Sequence, residues 1–238
     1  MRRLPALMSR PRFILVCSGS ANYAAANVLN FSGKADMAYI SVEQRRQDLI
    51  RAAIRVTADV GLTAATTRAI CAEAGVQQSV FHYCFSSKEE LLRALTREVV
   101  GGMVQTALAS LKPGADVEES LRDGLTVLWE TVNAQPERHL VFYELTVGAL
   151  REPNRSDLAE WQYREYFAAT GTFLASLAET AEIEWSVPIP VISRMVATVI
   201  DGLILGWLAD RRTDEVVAAI ESFTAILARL AVVQAAVD

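Results

Sequence analysis

Thr66–Leu91 reads TTRAICAEAGVQQSVFHYCFSSKEEL, and its spacing predicts a short helix, a turn, a second short helix and the start of a third. Thr66 or Thr67 supplies a hydroxyl that can accept from an orphan backbone N–H at a helix start. Ile70 and Ala74, four residues apart, share one face of that helix. Gly75 then offers a backbone position that takes positive φ without a Cβ penalty. Val76, Val80 and Tyr83 or Cys84 recur at helical spacing after it. Ser86-Ser87-Lys88-Glu89-Glu90 is a fresh helix start, with Ser87 as cap and two acids in the first turn. Two short helices joined by a tight glycine turn form a helix-turn-helix, a motif whose second helix enters the major groove of DNA.

The side chains sort accordingly. Val76, Val80 and Phe81 are expected to face a small core, leaving Gln77, Gln78, Ser79, His82 and Tyr83 to point outward. Gln can pair bidentately with adenine, and Ser or Tyr can reach base edges or phosphates. Thr66, Thr67 and Arg68 open the first helix of the motif, where free N–H groups and an added positive charge suit a phosphate.

With Gly61, Thr66, Arg68, Ile70, Ala74-Gly75-Val76, His82-Tyr83-Cys84-Phe85 and Ser87-Lys88-Glu89-Glu90-Leu91 in one register, the stretch resembles the DNA-binding domain of the tetracycline-repressor (TetR) family of bacterial regulators. Leu49-Ile50-Arg51-Ala52-Ala53 fits that family's first helix, and the likeness covers about residues 44–104. Departures are Thr57, Cys71, Gln77, Ser79 and His82, where an aromatic, Ala, Ser, Gly and Tyr are usual. They bear on which bases are read. The resemblance implies that His82 stands at a phosphate-contacting aromatic position and that Lys88 is a phosphate-contacting lysine. It also implies an all-α chain whose C-terminal helical domain holds a small-molecule pocket and dimerises through its last two long helices.

At 238 residues, 52% hydrophobic and with seven prolines, the chain can bury a substantial core in one or two domains. Cys17, Cys71 and Cys84 are odd in number and lack metal-site spacing, so no disulfide framework and no metal site are expected, and a reducing compartment fits. No apolar run reaches the ~18 residues needed for a membrane span. A cytoplasmic, nucleoid-associated protein is therefore expected. The net charge of −5 is uneven. Residues 1–40 carry five basic and one acidic side chain, residues 41–100 eight and seven, and residues 101–238 ten and twenty. An acidic remainder is compatible with DNA binding, because local placement of Lys and Arg matters more than the total.

Three segments are expected. Residues 1–40, with Arg2, Arg3, Arg10, Arg12, Pro5 and Pro11 and no sustained period, read as a disordered extension or as residues upstream of initiation at Met37. Residues 41–110 hold the helix-turn-helix domain, with its first helix near 43–60, its fourth near 87–110, and Leu49, Ala53, Val56 and Val60 on one apolar stripe. Lys112-Pro113-Gly114 marks the boundary to a ligand-binding and dimerisation domain over 111–238. Its helices are expected near 117–133, from Pro136 to Leu150, from after Pro153 to near Ile183, near 190–209 and from Thr213 to Ala235, with Pro136 and Pro153 in first turns. No strand alternation is visible.

On the last helix Val216, Ile220, Phe223, Leu227 and Leu230 recur at heptad spacing, and the helix before it offers Val196, Val199 and Leu203 beside Gly202 and Gly206. Such seams either build an intermolecular four-helix bundle or fill the monomer's own core; the resemblance favours the dimer. Aromatics crowd residues 117–210, and Trp129, Phe142, Tyr143 and Trp161, with Met195 and Asp201, are candidate linings of an effector pocket, the alternative being plain core. Asp201 is suited to a ligand amine or, more simply, to a salt bridge or cap. Gly101-Gly102 lacks a phosphate-loop context and reads as a kink or close packing point. No catalytic motif is present and no cofactor is expected. These features together predict a ligand-responsive homodimeric regulator, most simply a repressor, of palindromic operator DNA. The alternative is a helical small-molecule-binding or interaction protein without DNA binding.

Overall fold

Ser41 caps α1 (Val42–Ala64), its Oγ accepting the Gln44 N–H at 3.1 Å. The structure, a computed structural model, describes residues 41–152 and 156–233. The expectations for residues 1–40, for Pro153 and for the helix reaching Ala235 fall partly or wholly outside them. Leu49, Ala52, Ala53 and Ile54 make the inner face of α1. Val60, expected on that stripe, is half exposed, because Gly61 at φ +79° breaks the helical backbone beside it.

Then follow α2 (Thr67–Glu73), α3 (Gln78–Cys84), α4 (Lys88–Ala109), α5 (Val117–Ala134), α6 (Pro136–Arg151), α7 (Ser156–Thr180), β1 (Ile183–Trp185), α8 (Ile189–Asp210), α9 (Thr213–Ala228) and β2 (Ala231–Val233). The described residues are predominantly helical, as expected. α1 lies against α6 and α4, α4 against α5 and α7, α7 against α8, and α9 against α5. One continuous apolar core runs from Leu49 through Leu95, Leu121, Phe142 and Leu174 to Leu227, so it spans the Lys112–Gly114 turn. A smaller cluster joins Ala149, Leu158, Ala159 and Trp161.

Three details depart from the sequence reading. First, β1 and β2 pair antiparallel, with Trp185 opposite Ala231, and the last helix therefore stops at Ala228. Strands of three residues are too short to show an alternation, and their pairing partner lies far along the chain. Second, Gly101 and Gly102 sit inside unbroken α4, and a Cβ at either would meet open space, so neither is a packing point. Third, α8 is long and apolar enough, by length and composition, to cross a membrane. Ser193, Arg194 and Asp201 interrupt its apolar run without making the helix polar overall. Ile192, Ala197, Ile200 and Ile204 are buried in the protein core.

Candidate nucleic-acid interface

Each helix of the motif begins and ends for a local reason. Thr66 is the N-cap of α2, its Oγ1 accepting the Ala69 N–H at 3.2 Å. Gly75, at φ +66°, turns the chain after α2, while the Val76 N–H donates to the Cys71 carbonyl at 2.9 Å. A seven-residue helix is not stable by propensity alone, and packing anchors α3. Phe81 is 1% exposed and Cys84 5%, and full burial of a phenylalanine contributes roughly 1.5–3 kcal/mol. Val76 and Val80 are half-buried against the same core. The opposite face is free of that core: Gln77, Gln78, Ser79, His82 and Tyr83 are all exposed, Tyr83 most of all at 74%. Gln78 Nε2 reaches Thr67 Oγ1 at 3.5 Å, an exposed contact between the two helices of the motif. Arg68 is exposed at the start of α2.

A set of polar contacts holds this face in position, and sequence reading missed most of it. Arg46 on α1 donates to the Cys84 carbonyl at the end of α3 and to Glu90 Oε1 at 3.3 Å, with its guanidinium 4.1 Å from the Phe85 ring centroid. A cation at a helix C-terminus complements the helix dipole. Arg55 ties α1 to α2 through Glu73 at 2.6 Å. Ser87 caps α4 as expected, accepting the Glu90 N–H at 3.1 Å, while Glu90 Oε2 accepts from the Ser86 N–H at 2.8 Å and from its hydroxyl at 2.7 Å. These Ser86 bonds, with Arg46, hold the Glu90 carboxyl below its ordinary pKa. Lys88 is half-buried, and its Nζ donates to the Leu62 carbonyl at 3.1 Å. The signal for Arg46 was faint, an arginine among several on one amphipathic helix, because its partners lie about forty residues downstream.

The C-terminal half divides the expected pocket residues. Phe142 and Tyr143 stand together on α6 near Asp201 of α8. Among the described residues Asp201 makes neither a salt bridge nor a cap: its Oδ2 accepts from Tyr163 Oη at 2.8 Å and its Oδ1 from Tyr143 Oη at 3.3 Å. Burial pushes the Asp201 carboxyl up to about 6, the two hydroxyls opposing that rise. A cavity of about 10 Å³ there is lined by Val100, His139, Phe142, Tyr166 and Asp201 among others, and one of about 30 Å³ adjoins it across Met103 and Tyr166. Burial, and Arg138 next in the chain, drive the His139 pKa down to about 4. Three expected lining residues lie elsewhere. Trp129 is buried edge-on against Trp207 at 5.0 Å between centroids. Trp161 belongs to the smaller cluster and stacks under Arg93 and Arg97. Met195 is on the outer surface. Periodicity could not separate them, because all are large apolar side chains at helical spacing.

The expected seam of α8 and α9 also turns inward in part. Val196, Val216, Ile220 and Leu227 are buried in the chain's own core, and Val199, Leu203, Phe223 and Leu230 are half-buried. The apolar residues left exposed are their neighbours: Val191, Met195 and Leu205 on α8, and Val217 and Ile226 on α9. Gly202 and Gly206 lie on that outer stripe of α8, where an added Cβ would meet nothing within 4 Å. Heptad spacing names two adjacent apolar stripes on a helix this apolar, and only the fold tells which one faces inward.

Known proteins share this arrangement. The model of the family described as bacterial regulatory proteins, tetR family, matches residues 49–95. Over 171 residues the chain is 28% identical to the HTH-type nicotine-responsive transcriptional repressor HdnoR of Paenarthrobacter nicotinovorans, covering 72% of this chain and 87% of that protein. It is 36% identical over 93 residues to the HTH-type transcriptional regulator BetI of Rhizobium meliloti (strain 1021), which is 39% of this chain and 46% of that one. The crystal structure of the multidrug binding protein EbrR complexed with imidazole is similar with a TM-score of 0.56 and 28% identity, over 82% of this chain and 98% of that one.

Proposed function

The chain belongs to the TetR family of bacterial regulatory proteins, and from that premise we propose that it is a ligand-responsive homodimeric repressor of a palindromic operator. That it is a DNA-binding transcriptional regulator follows from the family. The observation that carries the operator reading is the exposed polar face at α3, where Gln77, Gln78, Ser79, His82 and Tyr83 project from a helix pinned by Phe81 and by Arg46.

In this reading α3 lies in the major groove. Gln77, Gln78 and Tyr83 read base edges, while Ser79 and His82 reach base or backbone. Thr66, Thr67, Arg68 and Lys88 meet phosphates, which set register without reading sequence. One motif supplies few contacts. Two copies, joined through the outer apolar stripe of α8 and α9, would engage half-sites one helical turn (about 34–36 Å) apart. A second copy on that stripe would cover Val191, Leu205, Val217 and Ile226, which are otherwise exposed to water.

A small-molecule effector fits the C-terminal half. HdnoR is by name nicotine-responsive and EbrR a multidrug binder, and both support an organic ligand here. The cavities beside Asp201 admit only a water or two as they stand, so a ligand must part the surrounding helices. That conformer binds ligand better, and if its recognition helices no longer match the half-site spacing, the ligand releases DNA.

The test is an electrophoretic mobility shift on DNA from upstream of the protein's own coding region, with sedimentation of the complex. A shifted band with two chains per fragment, competed by specific but not by random DNA, is expected. Absence of any sequence preference would overturn the operator reading.

A further inference from the structure

Asp201 is an anion placed where anions are costly. It sits in the middle of α8, the most apolar helix among those described. Ionised carboxylates withdrawn from water are normally paired with a cation, and among the described residues none pairs with it. The titratable groups that face it are Tyr143 and His139 from α6, and Tyr163 and Tyr166 from α7. The tyrosines are neutral, burial holding all three hydroxyls well above their ordinary pKa. His139 is neutral too, its Nε2 against Met103 Sδ at 3.3 Å. Tyr163 donates to one carboxylate oxygen, and Tyr143 shares its single proton between the other and the Asp201 backbone carbonyl at 3.2 Å, which leaves open part of a carboxylate that offers about four lone-pair sites.

Around this anion the rings form a continuous set. Phe142 lies 5.9 Å from Tyr166 and 6.3 Å from Tyr163, and Tyr163 lies 5.6 Å from Phe167, centroid to centroid. Ring faces carry negative potential and attract cations within about 6 Å. A carboxylate without a cation among the described residues, walled by aromatic rings and beside small, mostly apolar cavities, is complementary to one positive charge on an apolar body. It disfavours an anion, and a neutral ligand can offer it at most a hydrogen bond and apolar area.

We propose that the effector is an organic monocation, an amine or quaternary ammonium with an apolar substituent, whose charge pairs with Asp201 among Tyr143, Tyr163, Phe142 and Tyr166 and whose apolar part enters the space beside Met103. The proposal rests on the ligand-responsive reading above and adds the ligand's charge and its anchor. Tyr143 also couples the site to the DNA-binding motif by position, because the next residue on α6, Glu144, accepts the Leu62 N–H at 3.0 Å.

Isothermal titration of the full chain with phenyltrimethylammonium, its uncharged carbon isostere tert-butylbenzene, and the anion 4-tert-butylbenzoate tests it without DNA. Binding of the cation at least tenfold tighter than the other two is expected, with that preference lost in Asp201→Asn. The Asn side chain keeps an acceptor for the tyrosine hydroxyls, and circular dichroism with thermal melting shows whether the variant is folded. Equal or tighter binding of either other compound, binding of none, or an undiminished preference in folded Asp201→Asn overturns the proposal. If Asp201→Asn does not fold, Tyr163→Phe with the same compounds replaces it: the preference should narrow as the carboxylate loses a positioning donor, and no change counts against the site. A mobility shift with each compound separates the two readings. Release of operator by the anion or the isostere alone would leave a ligand-responsive regulator without a cation site. Cation binding with no DNA binding at all would leave the site and remove the operator reading.

Discussion

The Leu62 backbone N–H donates to Glu144 Oε2 at 3.0 Å, joining the end of α1 to the middle of α6. The carbonyl of the same residue accepts from Lys88 Nζ at 3.1 Å. Gly148, one turn beyond Glu144, makes room for the Leu62 side chain, since a Cβ there would lie 2.9 Å from Leu62 Cδ2. Leu62 follows directly on Gly61, where the helix breaks. Leu62 is thus one point at which the helix-turn-helix and the C-terminal half meet, its backbone held from both sides.

Glu144→Ala should strip the Leu62 N–H of its partner, at a cost of about 1–3 kcal/mol where water cannot replace it. Glu144→Gln keeps an acceptor and should lose much less. If this bond carries the response, the ratio of operator Kd with and without phenyltrimethylammonium should shrink toward one in the Ala variant and stay near wild type in the Gln variant. An unchanged ratio in folded Glu144→Ala would place the coupling on another bond between the two halves.

Arg68→Ala and Lys88→Ala should weaken binding to specific and random DNA alike. Removing a side chain that neutralises one phosphate flattens the slope of log K against log salt by about 0.9. Binding isotherms across a salt series read this directly. Lys88→Ala carries a second effect, because the Leu62 carbonyl loses a donor, so it should also lower the melting temperature, whereas exposed Arg68→Ala should not.

Gln78→Ala and Tyr83→Ala should change which sites are selected more than they change nonspecific affinity, since a good base contact contributes about 1–3 kcal/mol of discrimination. Site selection from a random pool with each variant is the measurement. If Gln77, Gln78 and Tyr83 can all be replaced with the selected site unchanged, specificity comes from DNA shape instead.

Leu205→Glu and Leu227→Glu should behave differently. Leu205 is 55% exposed and Leu227 1%. A charge at Leu205 on the outer stripe should yield a folded monomer with weak operator binding, by light scattering beside circular dichroism. A charge at Leu227 buries an unpaired ion and should unfold the chain, at several kcal/mol. A folded dimer carrying Leu205→Glu would move the interface off this stripe of α8.

Asp201 and His139 should leave opposing marks on stability against pH. The Asp201 carboxyl is raised from 3.8 to about 6, first by burial. Between those values the native state holds a proton the unfolded chain has released, so stability falls as pH rises. His139 is lowered from 6.5 to about 4, again first by burial. There the unfolded chain binds a proton the native state refuses, so stability rises with pH. In wild type the two slopes offset between about pH 4 and 6. Asp201→Asn should expose the histidine slope, up to about 1.4 kcal/mol per pH unit, and His139→Gln the reverse. Urea midpoints at pH 4, 5 and 6, on the same variants, show whether the signs are opposite.

The helix-turn-helix was legible from residues alone because its signals are local. Thr66, Gly75 and Ser87 act on backbone within three or four residues of themselves, and Phe81 separates the buried from the exposed face of α3 by helical period. The all-helical class followed for the same reason. What sequence could not decide was which of two apolar stripes on α8 faces inward, what partners Asp201, and where Trp129, Trp161 and Met195 stand. Each of those depends on a residue distant in the chain. Val196 is buried while Met195 beside it is exposed because α7 and α9 cover one side of α8. Asp201 meets Tyr143 and Tyr163 only because α6 and α7 are brought beside α8. Periodicity reports the faces a helix has, and tertiary packing assigns each face its neighbour, because burial depends on the whole chain's apolar surface rather than on any one window of it.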